Sequence, residues 1–395
     1  MRMRKATSAL VGLLLAGVAA TPAHAATIRS QQWHLDAMKA DDVWKISTGK
    51  GITVAVIDTG VDRIPELEGQ VLPGKDFMAD DIEGDERADV DGHGTSMAAL
   101  IAASGKHPSG DGAFGLAPGA KILPIRVPKE TSLLTPSWVA AIRYAADSDA
   151  KIINISLALP GTPKEDEARR EAVKYALSKG KLIFAGAGND GDTLNKVLYP
   201  AATPGVIGVG AVDAAGEPTK ESQHGPQIDM SAPGIDIVTA CGGKTGLCKS
   251  HGTSDATALT SASAALLWSA HPDWTNNQVL RVLLNTAGKP VDGAERNDYV
   301  GYGVVRPRIA VPTPGDPGPA DVFPLPDLAA ADAAKSPSAS PDGKGPASGT
   351  PAPAPQAEAK KKDEGSMLPW IGLGLGACLL IGGAVTAVVV RRTNR

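Results

Sequence analysis

Short apolar runs recur along the first part of the chain, with longer segments of helical spacing between them. Residues 52–57 (ITVAVI), 120–125, 151–155, 182–185 and 206–209 are such runs, rich in Ile and Val. Runs this short that are apolar at successive positions suit parallel strands covered on both faces. Helix-like segments follow at 95–103, 136–146 and 164–178, and a late one at 254–268 is rich in Ala and Leu. The alternation predicts an α/β fold with a mostly parallel central sheet and helices on both faces. In that architecture sites form at the carboxyl ends of the strands. No internal repeat is visible.

The two ends break this pattern. Residues 1–25 combine a basic start (Arg2, Arg4, Lys5), an apolar stretch from Ala9 to Ala20 and Ala23-His24-Ala25. That is the layout of a secretory signal peptide cleaved after Ala25. Residues 368–390 form an uncharged stretch of 23 residues, followed by Arg391, Arg392 and Arg395. At a helical rise it spans roughly 34 Å, enough for a transmembrane helix across a ~30 Å hydrocarbon core. Trp370 suits the outer interface, and residues 391–395 read as a short basic cytoplasmic tail. Lys360, Lys361 and Lys362 before the span weigh against a simple positive-inside pattern. Residues 311–367 hold many of the prolines, mixed with Ala, Ser, Gly and Asp, and read as a semi-rigid linker. The expected globular body is therefore residues 26–310, exported to the outer face of a plasma membrane.

Composition narrows the chemistry. The 395 residues are 43% hydrophobic and 21% charged, enough for a large core, and the net charge is −4. With no basic excess and 4% aromatics, nucleic acid is not an expected partner. Three cysteines cannot build a four-thiolate zinc site, and no His-Glu-x-x-His motif is present. No metal and no cofactor are expected.

Four places concentrate polar chemistry. Asp58 follows the first strand in Val56-Ile57-Asp58-Thr59-Gly60, as a turn former, a metal ligand or a histidine-orienting carboxylate. His93, in Asp91-Gly92-His93-Gly94-Thr95, opens a helix between glycines, which leaves its ring accessible. Asn189 follows another strand in Gly188-Asn189-Asp190-Gly191, either as a plain turn or as an amide donor beside a reacting carbonyl. Ser254, in Gly252-Thr253-Ser254, stands at a helix start, where serine serves as a cap or as a nucleophile among free N–H groups.

Together these stretches resemble the subtilisin-like serine proteases, whose chain order is Asp, His, Asn, Ser. The resemblance covers the whole expected body. It implies that Ser254 attacks a peptide carbonyl, that His93 shuttles the proton and that Asp58 orients His93. It further implies that Asn189 and the Ser254 N–H form the oxyanion hole. Ser156, Leu157 and Ala158 fall where that family pairs its backbone with an extended protein substrate.

A closer resemblance is to the mycosins, membrane-anchored proteases of type VII secretion systems. It rests on the layout of signal peptide, protease, Pro-rich linker and span, and on Trp33-His34-Leu35-Asp36 near the mature start. Only 32 positions separate Ala26 from Asp58, too few for a large folding propeptide. The resemblance implies a serine endopeptidase acting on type VII substrates beside the secretion membrane complex, or a scaffold of that complex with proteolysis secondary. The chain departs from the subtilisin pattern at Asp255, Ala258, Ala158 and Leu159. Asp255 adds a negative charge beside the nucleophile, which raises the expected pKa of His93. Asp111 is the only carboxylate in the loop 105–115, so no tight calcium site is expected there. Cys241 and Cys248 lie in the exported body, where a disulfide is expected. His251 is expected to line the site without chemistry.

Overall fold

The computed structural model describes residues 26–335 except 79–83, 130, 162 and 243–245. Its centre is a seven-stranded sheet. The strands are β1 (Thr53–Asp58), β2 (Lys75–Asp76), β3 (Lys121–Arg126), β4 (Ile152–Ile155), β5 (Leu182–Gly186), β6 (Ile207–Val212) and β7 (Met230–Pro233). Their order is β2-β3-β1-β4-β5-β6-β7, and every recorded pairing is parallel. A separate antiparallel hairpin joins β8 (Ile237–Ala240) to β9 (Leu247–Ser250).

The side chains of the sheet alternate between two cores, as the pleat requires. Val54, Val56, Ile152, Leu182 and Phe184 enter one core with α4 (His93–Ala102), α7 (Thr253–Ala270) and α8 (Asn276–Thr286). Ala55, Ile57, Ile153, Ile155 and Ile183 enter the other with α5 (Thr131–Asp147) and α6 (Pro163–Ser178). Helices therefore cover both faces. The helix expected from residue 136 begins at Thr131, so Pro136 lies inside it.

The helix α7 is almost wholly buried although it is rich in Ser and Thr. Its hydroxyls are satisfied within the helix: Thr257, Thr260 and Ser263 donate to carbonyls four residues earlier at 2.7–2.8 Å. Ser261 instead donates to Asn154 on β4 at 3.0 Å. Small side chains let this helix lie close to the sheet.

Three helical turns, α1 (Ile28–Gln31), α2 (Trp33–Ala37) and α3 (Ala40–Val43), bring the N-terminal segment onto the body. Trp33 Nε1 donates to Ile235 O (3.1 Å) and Asp236 O (3.2 Å), and Gln32 Nε2 to Val238 O (3.2 Å). The segment thus holds the hairpin. In the loop 105–115, both Asp111 carboxylate oxygens accept the Ile28 N–H at 3.0 Å.

The chain continues through α9 (Pro307–Ala310) into the Pro-rich stretch, and the expected boundary at Ala310 is not where packing ends. Arg281 on α8 donates to Pro317 O, Pro319 O and Val322 O, and Gln278 to Gly318 O. Leu325 is buried, and Asp327 on α10 (Pro326–Lys335) accepts the Gly205 N–H at 2.7 Å. The reason is chemical. Proline offers carbonyls without N–H donors, and α8 presents a row of donors to match. The expected signal peptide (1–25), the rest of the expected linker (336–367), the expected span (368–390) and the expected tail (391–395) lie outside the described residues. Among the described residues no helix is long and apolar enough to cross a membrane.

Candidate active site

The site gathers at the carboxyl end of the sheet. Asp58 ends β1, Ser156 follows β4, Asn189 follows β5, and His93 and Ser254 open α4 and α7. One cavity is lined by His93 and Ser254 together with Asp62, Asp91, His251 and Asp255.

Asp58 is fully buried. Its Oδ1 lies 2.7 Å from His93 Nδ1 and also accepts the Thr59 N–H at 2.8 Å. Close approach of α4 to β1 depends on Gly94. A Cβ there would stand 2.2 Å from Gly60 O and 3.0 Å from the Asp58 Cβ.

The N-terminus of α4 is held by Asp89, which no motif in the sequence sets apart. Asp89 Oδ2 accepts the Thr95 N–H (2.8 Å) and hydroxyl (2.6 Å). Its Oδ1 accepts the Gly92 N–H (2.9 Å) and the Thr59 hydroxyl (2.8 Å). It caps the helix from three positions before Gly92, where no capping side chain exists. The only sequence signal is the string of acids at Asp85, Asp89 and Asp91, which does not distinguish one from another.

Asn189 is fixed by its oxygen. Its Oδ1 accepts the Thr253 N–H (2.9 Å) and hydroxyl (3.0 Å), which leaves its two amide hydrogens available. A Cβ on Gly252 would stand 2.8 Å from Asn189 Nδ2, and Gly252 has φ +121°. Glycine at 252 therefore meets both a tight approach and a backbone angle that L residues avoid.

Ser254 lies in the first turn of α7, among N–H groups without intrahelical acceptors. Its Oγ donates to Ser156 O at 3.0 Å, so in this rotamer the hydroxyl is turned to β4 rather than to His93. A polar chain runs back into the core. Ser156 Oγ donates to Ser254 O (3.2 Å), Asn154 Nδ2 to Ser156 Oγ (3.0 Å), and Ser261 to Asn154. Asn154 is a second supporting residue that its apolar strand concealed. Ser156, Leu157 and Ala158 continue beyond the last pairings of β4, Ile57↔Ile155 and Ile155↔Ala185. Leu159 is taken up by a bridge to Tyr199.

The electrostatics favour a charged imidazole. Burial works against the imidazolium of His93, but the charge and hydrogen bond of Asp58, with Asp255 and Asp91 beyond, push it up to about 9. Asp255 is itself pushed up to about 6, by burial. His251 pairs with Glu221 at 2.9 Å at the edge of the cavity. Cys241 and Cys248 are bonded across the β8–β9 hairpin and form part of its wall. Among the described residues no cluster of three metal-binding side chains occurs.

A fold of this topology, with these groups at the strand ends, defines a class. The family model of the subtilases (peptidase S8) matches residues 49–303, and the chain belongs to that family. Mycosin-1 of Mycobacterium tuberculosis is 32% identical over 340 residues, covering 73% of this chain and 74% of that protein. A thermophilic serine proteinase of Bacillus sp. (strain AK1) is 36% identical over 274 residues, 69% of this chain. The chain spans 64% of that proteinase's own length. The crystal structure of MycP1 from the ESX-1 type VII secretion system aligns with a TM-score of 0.64 at 30% identity, covering 77% of this chain and 91% of that one.

Proposed function

We propose that this chain is a serine endopeptidase, anchored with its catalytic domain on the outer face of a plasma membrane, that acts on protein substrates of a type VII secretion system. The observation that carries the catalytic reading is the 2.7 Å contact of a buried Asp58 with His93, in one cavity with Ser254. Likeness to mycosin-1 supports the secretion role. The signal sequence at 1–25 and the apolar span at 368–390 support the anchoring.

The steps follow from the positions. A rotation of the Ser254 side chain turns Oγ from Ser156 O towards His93. Oγ attacks the peptide carbonyl as His93 takes its proton, and Asp58 holds the ring in the tautomer with Nδ1–H and stabilises the imidazolium. Negative charge on the carbonyl oxygen is met by the Asn189 amide and the Ser254 N–H. His93 then protonates the leaving amine, the C–N bond breaks, and water repeats the sequence to release the acid and restore Ser254. The backbone of Ser156-Leu157-Ala158 offers a free edge on which an extended substrate strand can pair.

The test is cleavage of a peptide library by the full-length chain purified in detergent. Product should appear with wild type, and kcat/KM should fall on the order of 10⁴–10⁶ in Ser254→Ala. Equal cleavage by Ser254→Ala would overturn the assignment. A scaffold role is the second reading, favoured by the Ser254 hydroxyl resting on Ser156 O. It predicts secretion retained in Ser254→Ala and lost on deletion of the chain.

A further inference from the structure

Asp255 puts a charge where the steps above use none. It directly follows Ser254 in the first turn of α7, is fully buried, and lines the cavity that holds His93. Its Oδ1 accepts the Ser250 hydroxyl at 2.8 Å, while Oδ2 has no partner. A buried carboxylate left half-satisfied is costly unless a cation compensates it. Three basic groups line the cavity. Lys249 is turned to Asp236 (2.8 Å) and His251 to Glu221 (2.9 Å). That leaves His93, which meets Asp58 through Nδ1, as the remaining basic group of the cavity that Asp255 lines.

We infer that Asp255 is a positioning residue for the charged state of His93, a second carboxylate beside the imidazole that stabilises the imidazolium formed when Ser254 loses its proton. The inference rests on the proposed function and concerns the same site. The groups that face His93 are Asp58 from β1, Asp91 from the loop before α4 and Asp255 from α7. Those that face Asp255 are Ser250, His93, His251 and Glu221.

The consequence is an alkaline enzyme with a strong base. With His93 titrating at about 9, about one molecule in a hundred carries the neutral imidazole at pH 7. The rate then climbs about tenfold per pH unit until His93 is neutral. Asp255, titrating at about 6, is ionised over that whole range and keeps its hold on the ring.

The experiment measures the second-order rate at which a fluorophosphonate modifies the full-length chain in detergent, from about pH 6 to 10. Removing the negative charge in Asp255→Asn weakens the imidazolium, so the midpoint of the rising limb should fall by about one pH unit. Asp255→Glu should restore it. Ser250→Ala makes the Asp255 proton harder to lose, yet Asp255 is still ionised near pH 9, so this variant should leave the midpoint in place. A purely structural role would lower the plateau and leave the midpoint in place, and that result overturns the inference. If Asp255→Asn does not fold, Asp255→Ser removes the same charge with a smaller side chain, and an unmoved midpoint there overturns the inference. A wild type that is unmodified at every pH sinks the proposed function and this inference with it. A modified wild type whose midpoint is unmoved when the Asp255 charge is removed sinks the inference only.

Discussion

Substitution of Asp89 by alanine is the perturbation that most sharply tests how the site is built. Asp89 is buried, and its two oxygens accept four hydrogen bonds at 2.6–2.9 Å. Two come from backbone N–H groups at the start of α4 and two from the hydroxyls of Thr59 and Thr95. The hydroxyls serve further partners, Gly94 N at 3.0 Å and Asp62 N at 2.9 Å, so one deletion loosens five neighbours. Thr95 is fully buried and finds no water in place of the carboxylate, whereas Gly92 is half-exposed and is resolvated. Counting the lost bonds to a charged acceptor, less this relief, gives a destabilisation of about 3–5 kcal/mol. Asp89→Asn keeps one acceptor oxygen but aims an amide donor at one pair of donors, and should cost about half as much. Urea unfolding at neutral pH reads both values. Because His93 is the first residue of α4, the alanine variant should also lose at least tenfold in kcat. A loss of less than about 1 kcal/mol would refute the reasoning, since it would place Asp89 among surface residues of no structural consequence.

Other predictions follow from single features. Asn189→Ala should lower kcat by roughly 10²–10³ with KM little changed, since the lost donor acts in the transition state; an equal rise in KM would contradict it. His34 is fully buried with both ring nitrogens unpartnered, and burial, with Arg29 nearby, lowers it to about 3. The unfolded chain then binds a proton that the folded one rejects, so stability is lost as pH falls from about 6.5 towards 3. Acid titration of thermal stability should show this loss in wild type and a smaller one in His34→Phe. Cys241 and Cys248 should resist alkylation without reductant, and the closed loop is worth about 2.5 kcal/mol on a chain-entropy estimate; two alkylated thiols in the non-reduced native protein would disprove the pairing.

Much of this architecture is legible in the residues because both chemistry and periodicity repeat there. Apolar runs such as Leu182–Gly186 have no polar face to show, and the sheet buries both of theirs. The groups at 58, 93, 189 and 254 stand at strand and helix ends, where glycine neighbours mark them. The strand Met230–Pro233 and the hairpin at 237–250 are absent from the pattern, since four-residue strands draw their definition from partners distant in sequence. Asp89 and Asn154 are concealed for opposite reasons, one by similar acids around it and one by an apolar strand. The Pro-rich stretch after Ala310 has the composition of a spacer, yet its carbonyls meet Arg281 and Gln278. Composition describes what a segment can bury, not which donors wait beside it.

The most direct test of the central claim is to locate the adduct formed by a fluorophosphonate on the full-length chain, by peptide mass mapping. Wild type should carry one modified site, Ser254, with modification lost in His93→Ala and sharply slowed in Asp58→Ala. Modification at another serine, or undiminished modification of Ser254 without His93, would contradict it.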